Sequence, residues 1–490
     1  MSRNVLLLSA LALCSSAALA DPIFEGFIPG NLVVSRSVYQ GTASTVTVGM
    51  ALPPNCPSTA KCSMPATNDG TYPGVFNNDV PDANFGVTSP IFLDQITTEG
   101  THINTLPVPS GIVVTSFSSK SELALNLSPE GDVITFMGYV APINALDVSN
   151  ANTPGVIDPT NPVGGTAYRS VVQLYPSGAM QVTNTNAYCG NNGRAAVLAD
   201  GYFYMVGNSN NGSGTPTNVV TSTGVEIATP GQSSTTVPTE VGNFSITAVN
   251  DPSTGMPYTT ADKAGKDNNF RGLTLFNNTL YISKGSGSNG INTVYMVGNP
   301  GLLPTMESAA STPITVLPGF PTTLARNAGA SNPFGLWFAN ASTLYVADEG
   351  DGTTANAATS QIAGLQKWVL VDGAWQMVYV MQNGLNLGQQ YSIPNYPGSL
   401  NPATDGLRNI TGRVNGDGTV TIWAVTSTVS ALGDPGADPN KLVSITDVIG
   451  NTDPGLAAYE PFATLMSAGY GEVLRGVSFT PGTIQRHGRR

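Results

Sequence analysis

The chain has 490 residues and a formal net charge of −12 at pH 7, and only 10% of its residues are charged, against roughly 25% in ordinary soluble domains. An acidic balance of that kind repels phosphate, which excludes nucleic-acid binding through a general electrostatic field. With 55 Gly and 36 Pro, the composition is that of many short strands joined by many turns.

Residues 1–20 read as a secretory signal peptide. Arg3 precedes an apolar run from Val5 to Cys14, and Ala18-Leu19-Ala20 forms a small-x-small cleavage site before Asp21. The run is shorter than the roughly 20 residues that a membrane-spanning helix needs. Cys14 follows Leu13, where a lipidation site wants a small residue. The mature protein, residues 21–490, is expected to be secreted or periplasmic, with no membrane insertion after cleavage.

NLVVSRSVY (31–39) has the pattern of a second strand with no first strand before it. A Gly/Ser/Thr/Asn/Pro-rich insertion follows over about 53–90. It contains Cys56 and Cys62, whose spacing permits a disulfide in an oxidising compartment. Pairing of Cys189 with either one is the alternative. Three cysteines without matching histidines do not make a zinc site.

A hairpin pattern then recurs. It occurs as SELALNLSPEGDVITFMGY (121–139), GRAAVLADGYFYMVGN (193–208) and FRGLTLFNNTLYISKG (270–285). It returns as PFGLWFANASTLYVAD (333–348), GLRNITGRVNGDGTVTIWAVT (406–426) and, cut short, LRGVSFTP (474–481). Each has a short apolar strand, a polar turn and a strand rich in β-branched and aromatic residues. The starts fall 63 to 77 residues apart. Weaker hairpins stand between them, SVVQLYPSGAMQVTN (170–184) and GLQKWVLVDGAWQMVYVM (364–381) being the clearest. A second insertion covers about 208–245.

Four strands per repeat, in repeats that cannot bury their faces alone, predict an all-β fold: a single β-propeller with six four-stranded blades. The count becomes seven if 208–265 holds a further blade. The last hairpin lacks its second strand, and 31–39 lacks a first. The two are expected to pair, closing the ring and removing free sheet edges.

One residue type recurs at one place. Arg194, Arg271, Arg408 and Arg475 stand where an inner strand begins, so equivalent blades would ring one channel mouth with guanidinium groups. Such a ring suits a carboxylate, a sulfate or an acidic sugar; alternatively, it locks the blades by bonding neighbouring carbonyls and acidic groups. Asp348, Glu349 and Asp351 form a second feature, DEGDG. Oxygen ligands on a Gly-rich turn suit Ca²⁺, although the run does not match an EF-hand loop and a solvated acidic loop is the other reading. Nucleophilic catalysis finds little material. His102, in an outer strand or turn, and His487, in the basic tail, are the two histidines, and no G-x-S-x-G, H-E-x-x-H or P-loop sequence occurs. Trp337, Trp368, Trp375 and Trp423 alternate along strands and are expected in the seams between blades.

LYVAD (344–348), LYISK (280–284) and the PFGLWFANASTLYVAD layout resemble the NHL-repeat and SMP-30-like propeller superfamily. The whole pattern is also similar to uncharacterised secreted bacterial propeller proteins that end in an arginine-glycine strand. The resemblance to SMP-30-like enzymes implies a channel metal held by Glu, Asp and Asn on inner strands; Glu122, Asn332 and Asn409 stand at comparable places here. Two functions follow as expectations. The first is an exported, monomeric scaffold that binds a small anion, a polysaccharide or a protein at the channel mouth, with no cofactor unless Ca²⁺. The alternative is a metal-dependent, lactonase-like hydrolase or lyase with its site on the central axis.

Overall fold

The computed structural model describes residues 24–56, 64–79, 85–209, 222–231, 235–262, 267–285, 287–327, 329–430 and 435–485. Among the described residues, six antiparallel sheets, each built on four strands, are arranged as the blades of one propeller, and a two-stranded sheet pairs Thr88–Ser89 with Thr115–Ser116. From the axis outwards, blade 1 is Glu472–Phe479, Leu32–Val38, Ile91–Ile96 and His102–Pro107. Blade 2 is Asn126–Leu127, Ile134–Tyr139, Arg169–Leu174 and Met180–Thr185; blade 3 is Gly193–Ala199, Tyr202–Gly207, Gly224–Ala228 and Thr239–Glu240. Blade 4 is Leu273–Phe276, Thr279–Lys284, Thr293–Val297 and Ile314–Val316; blade 5 is Pro333–Asn340, Thr343–Asp348, Gly364–Val371 and Ala374–Met381. Blade 6 is Ala403–Val414, Thr419–Val429, Lys441–Val448 and Ala463–Ser467. No helix among the described residues is long and apolar enough to cross a membrane.

The region 208–265 holds no seventh blade among its described residues. It supplies the third and outer strands of blade 3, and Thr235–Thr236 adds in parallel to the outer edge of blade 2. Ring closure follows the sequence pattern: Leu32 pairs with Phe479 and Val38 with Glu472, antiparallel. The hairpin turns obey their chemistry too. Asn277-Asn278 and Asp372-Gly373 adopt positive φ at both positions, as a two-residue turn matched to strand twist requires.

Each seam between neighbouring blades has its own apolar cluster, from the Val33–Phe136 group between blades 1 and 2 to the Leu32–Trp423 group between blades 6 and 1. All four tryptophans are buried in these seams. Seam 5/6 also contains a buried ion pair: Lys367 Nζ lies 2.8 Å from Asp447 Oδ2, and the Tyr345 and Tyr379 hydroxyls donate to the same carboxylate.

The recurring arginine-glycine pair has a steric origin. A Cβ on Gly272 would lie 2.1 Å from the Phe334 carbonyl oxygen of the next inner strand, and one on Gly476 would lie 2.3 Å from the Leu123 carbonyl oxygen. The inner strands converge too closely there for any side chain.

The described part of the first insertion carries a core of its own. Leu52, Tyr72, Val75, Phe76 and Phe85 are buried with Phe117, Tyr396 and Ala437. This aromatic cap packs on the loops at the arginine-bearing end of the inner strands.

Removing residues 473–490 would strip Val473, Leu474, Val477 and Phe479, all buried, from the first blade. At about 1.5–3 kcal/mol each, their loss rivals the whole stability of a typical domain, about 5–15 kcal/mol. The truncated chain is expected to show no cooperative thermal transition; melting like the full-length protein would contradict closure.

Candidate functional site

Residues 117–123, FSSKSEL, leave blade 2 just before its inner strand, which is reduced to Asn126–Leu127. Their partners lie on other blades. The Phe117 carbonyl accepts from Arg475 Nη2 at the inner strand of blade 1. Ser119 Oγ accepts from Asn192 Nδ2, at the start of blade 3, at 3.0 Å. Lys120 Nζ lies 3.6 Å from Glu349 Oε1, beside the second strand of blade 5. Ser121 Oγ accepts from Arg271 Nη1 of blade 4 at 2.6 Å. Leu123, held at φ +59, returns to blade 1, its carbonyl accepting from Ser35 Oγ at 2.8 Å. A short stretch can reach so many blades only by crossing the mouth of the channel. Phe117 anchors it under the cap, stacked on Phe76 with centroids 5.4 Å apart.

Glu122 is the hub of the crossing. One oxygen accepts from Thr115 Oγ1 (2.8 Å) and the Ser116 N–H (3.0 Å); the other accepts from the Tyr139 hydroxyl and from Asn192 Nδ2 (2.8 Å).

The four predicted arginines are all buried, and they differ in what they bond. Arg408 Nε donates to Glu349 Oε2 at 3.0 Å in a buried ion pair. Burial alone would raise the Glu349 carboxyl, but Lys120, Arg408 and Arg271 together hold it below its usual value. Arg475 donates to the Phe117 and Gly436 carbonyls. Arg194 Nη1 donates to Asn269 Oδ1 (2.5 Å) and the Phe270 carbonyl (2.7 Å). Among the described residues, Arg194 Nε and Arg271 Nε have no hydrogen-bond partner. Burial, then the charge of Arg271, push the Arg194 guanidinium well below its usual value. Burial, opposed by Glu349 and reinforced by Arg408, pushes Arg271 down to about 10. Lys284 joins the group: burial first, then Arg271, push its ammonium down to about 7.

The three acidic residues of DEGDG serve three separate networks. Asp348 accepts from Ser331 Oγ, the Asn332 and Gly350 N–H groups and Gln366 Nε2. Glu349 turns to the arginines, and Asp351 is exposed and accepts from the Thr353 N–H and Asn356 Nδ2. Among the described residues, no group of three or more His, Cys, Asp or Glu is placed to hold a metal ion. Asn332 and Asn409 are engaged elsewhere than Glu122, Asn332 Oδ1 with Asn292 and Asn409 Nδ2 with the Arg475 carbonyl. Cys189 is a free, buried thiol, which removes the alternative of its pairing with Cys56 or Cys62. Cys56 is disulfide-bonded; Cys62 lies outside the described residues.

Sequence reasoning missed the crossing segment and Asp405, and it offered Glu122 as a metal ligand where the structure shows a hydrogen-bond hub. Asp405, on the inner strand of blade 6, accepts from the Gly352 N–H at 2.9 Å through Oδ2, and its Oδ1 has no partner among the described residues. The one available signal for the crossing was Lys120, a lone cation in a polar run directly before an inner strand.

No protein-family model matches this chain, and no curated protein matches it. Among solved structures it is similar to a chain of a nidogen/laminin complex, at 9% identity over 81% of this chain and 97% of that one, with a TM-score of 0.35. The parainfluenza virus 5 hemagglutinin-neuraminidase ectodomain matches at 12% identity over 83% and 87%, with a TM-score of 0.34. A mutant of Synechocystis apocarotenoid oxygenase matches at 8% over 77% and 59%, with a TM-score of 0.23. At such values the likeness carries no argument about this chain, and no residue or activity is transferred from it.

The buried acids set a pH dependence. Burial pushes the carboxyls of Asp405 and Asp348 up to about 7 and about 6, whereas an unfolded Asp releases its proton near 3.9. Between about pH 4 and 7 the folded state binds more protons than the unfolded state, so these groups make stability fall as pH rises. Asp405→Asn is expected to flatten that fall, read as urea midpoints from pH 4 to 8. Identical pH profiles for variant and parent would contradict the assignment.

Proposed function

We propose that the protein is an exported binding scaffold whose recognition site is the arginine-lined mouth, taking a small anion such as a carboxylate or sulfate. The signal-peptide pattern of residues 1–20 supports export. The observation that carries the ligand reading is the state of Arg194 and Arg271. Both are buried, their hydrogen bonds go to neutral groups, each has an Nε without a partner among the described residues, and the charge of Arg271 works against that of Arg194. An anion beside them would relieve the repulsion and occupy the unused donors; charge-assisted bonds of this kind are about twice as strong as neutral ones. Arg408 is different, because Glu349 already neutralises it.

Melting temperatures in sulfate or citrate, against chloride at equal ionic strength, separate these roles. The parent is expected to gain stability with the divalent or trivalent anion. Arg271→Ala should lose that gain while staying within about 1 kcal/mol of the parent in chloride, because one lost hydrogen bond is offset by relieved repulsion. Arg408→Ala should cost about 2–3 kcal/mol, because it strands part of the Glu349 charge in a buried site. Uniform destabilisation with no anion response would reduce the ring to a structural lock.

The carboxylates of Asp348 and Asp351 already accept several hydrogen bonds each. Calorimetric titration of chelator-treated protein with Ca²⁺ is therefore expected to show no stoichiometric micromolar site. Finding one would move the weight to a metal-dependent hydrolase or lyase.

A further inference from the structure

The seam between blades 5 and 6 gathers reactive side chains that the arginine mouth does not use. Lys367 pairs with Tyr345 on one neighbouring strand of blade 5 and with Tyr379 on the other. Residues directly opposite one another on paired strands share a face, and this face meets Asp447, on the third strand of blade 6. The side chains of Lys367 and Asp447 are wholly buried.

The geometry brings an amine against a carboxyl. Lys367 Nζ lies 2.8 Å from Asp447 Oδ2. It is steadied by donating to the Val448 carbonyl (2.8 Å), the Asn451 carbonyl (2.9 Å) and the Tyr379 hydroxyl (2.9 Å). The carboxyl carbon is bonded to Oδ2, so Nζ stands near the separation of about 3–3.5 Å at which reacting atoms meet. Groups held in this way react as if present at about 10⁵–10⁸ M. The Tyr345 hydroxyl donates to Oδ2, and the Tyr379 hydroxyl donates to Oδ1 at 2.7 Å. Donors so placed stabilise the negative charge that develops on these oxygens when a nucleophile adds to the carbon.

A second carboxyl completes the group. Glu460 is half-buried beside Asp447, and its Oε2 is buried with no hydrogen-bond partner among the described residues. Burial first, then the charge of Asp447, push the Glu460 carboxyl up to about 7, where an acid both takes and gives protons near neutral pH. The charges themselves favour reaction. Taking a cation and an anion out of water is costly, and a buried ion pair is often no better than a neutral replacement.

We propose that Lys367 and Asp447 are joined by an intramolecular isopeptide bond that the folded chain forms by itself, with Glu460 as proton carrier. Proton transfer within the pair gives a neutral amine and a carboxylic acid. The Lys367 Nζ–Asp447 Cγ bond then forms and one Cγ–Oδ bond breaks. That oxygen leaves as water, carrying two of the three protons of the original ammonium, and Glu460 moves a proton from the nitrogen to the departing oxygen. No oxidant, reductant or further reactant is consumed. The product is a neutral amide, which removes both buried charges and staples the third strands of blades 5 and 6 across their seam. The bond does not rest on the anion reading of the mouth, because the two share no residue.

Mass spectrometry of the denatured, reduced full-length protein tests this directly. The chain is expected to be lighter than its composition by one water. A tryptic digest should leave the chain uncut after Lys367 and yield a branched peptide joining the Lys367 segment to the Asp447 segment. Lys367→Met should restore the full mass and give two linear peptides. A parent at full mass, or one without the branched peptide, would show a plain ion pair and overturn the proposal. That measurement needs no variant, so it stands even if Lys367→Met does not fold. Sampled at intervals after cell-free translation, Glu460→Gln is expected to form the bond at least about a hundredfold more slowly, as for loss of a general acid–base group. Formation at the parent's rate would overturn the role of Glu460.

Discussion

Six inner strands converge on one axis, and the narrowness of that convergence governs the rest of the molecule. Side chains are excluded where Gly272 and Gly476 face neighbouring carbonyls. The residue just before each glycine is an arginine, long enough to reach out of the crowded wall toward the mouth. Convergence therefore produces two consequences together: strands close enough to seal a ring, and cations brought near one another in a buried place. Like charges held so close are unfavourable unless something intervenes. Here the intervening matter is the protein's own chain, residues 117–123, together with the carboxylates of Glu122 and Glu349.

The crossing segment converts an open channel into two unlike ends. At the arginine end the mouth is spanned by polar atoms, most of which already have partners, and it is covered by the aromatic cap built from residues 39–87 and their neighbours. At the other end, none of the described residues lining the central cavity is charged. The two ends therefore differ in charge, and this division comes from a single excursion of seven residues. The Leu123 backbone, in the left-handed region that a branched residue seldom adopts, marks where the chain turns from the crossing into the wall.

Much of this architecture is legible in the residues. Two-residue turns such as Asp372-Gly373, flanked by alternating strands, announce hairpins, and the unmatched halves at 31–39 and 474–481 announce closure. The arginines are legible because they repeat. Other features are hidden for physical reasons. The partners of 117–123 on other blades lie from 70 to more than 350 residues away in sequence, so no local pattern reveals the crossing. Asp348, Glu349 and Asp351 look like a cluster in sequence, but alternation at the end of a strand sends neighbouring side chains to opposite sides, and they separate into three networks. The cap is hidden for the same reason as the crossing: Tyr72 and Phe76 come from a Gly- and Pro-rich stretch, and the residues that bury them, Phe117 and Tyr396, are distant in sequence.

The claim on which the account rests is that the arginine ring grips the crossing segment. A double-mutant cycle between Arg271→Met and Ser121→Ala, with stability read by urea unfolding, isolates one such grip across 150 residues of sequence. The account predicts a favourable coupling of about 1 kcal/mol or more, as expected for a buried hydrogen bond with a charged donor. Additivity within about 0.3 kcal/mol, the behaviour of residues that do not touch, would mean that the segment does not cross the mouth.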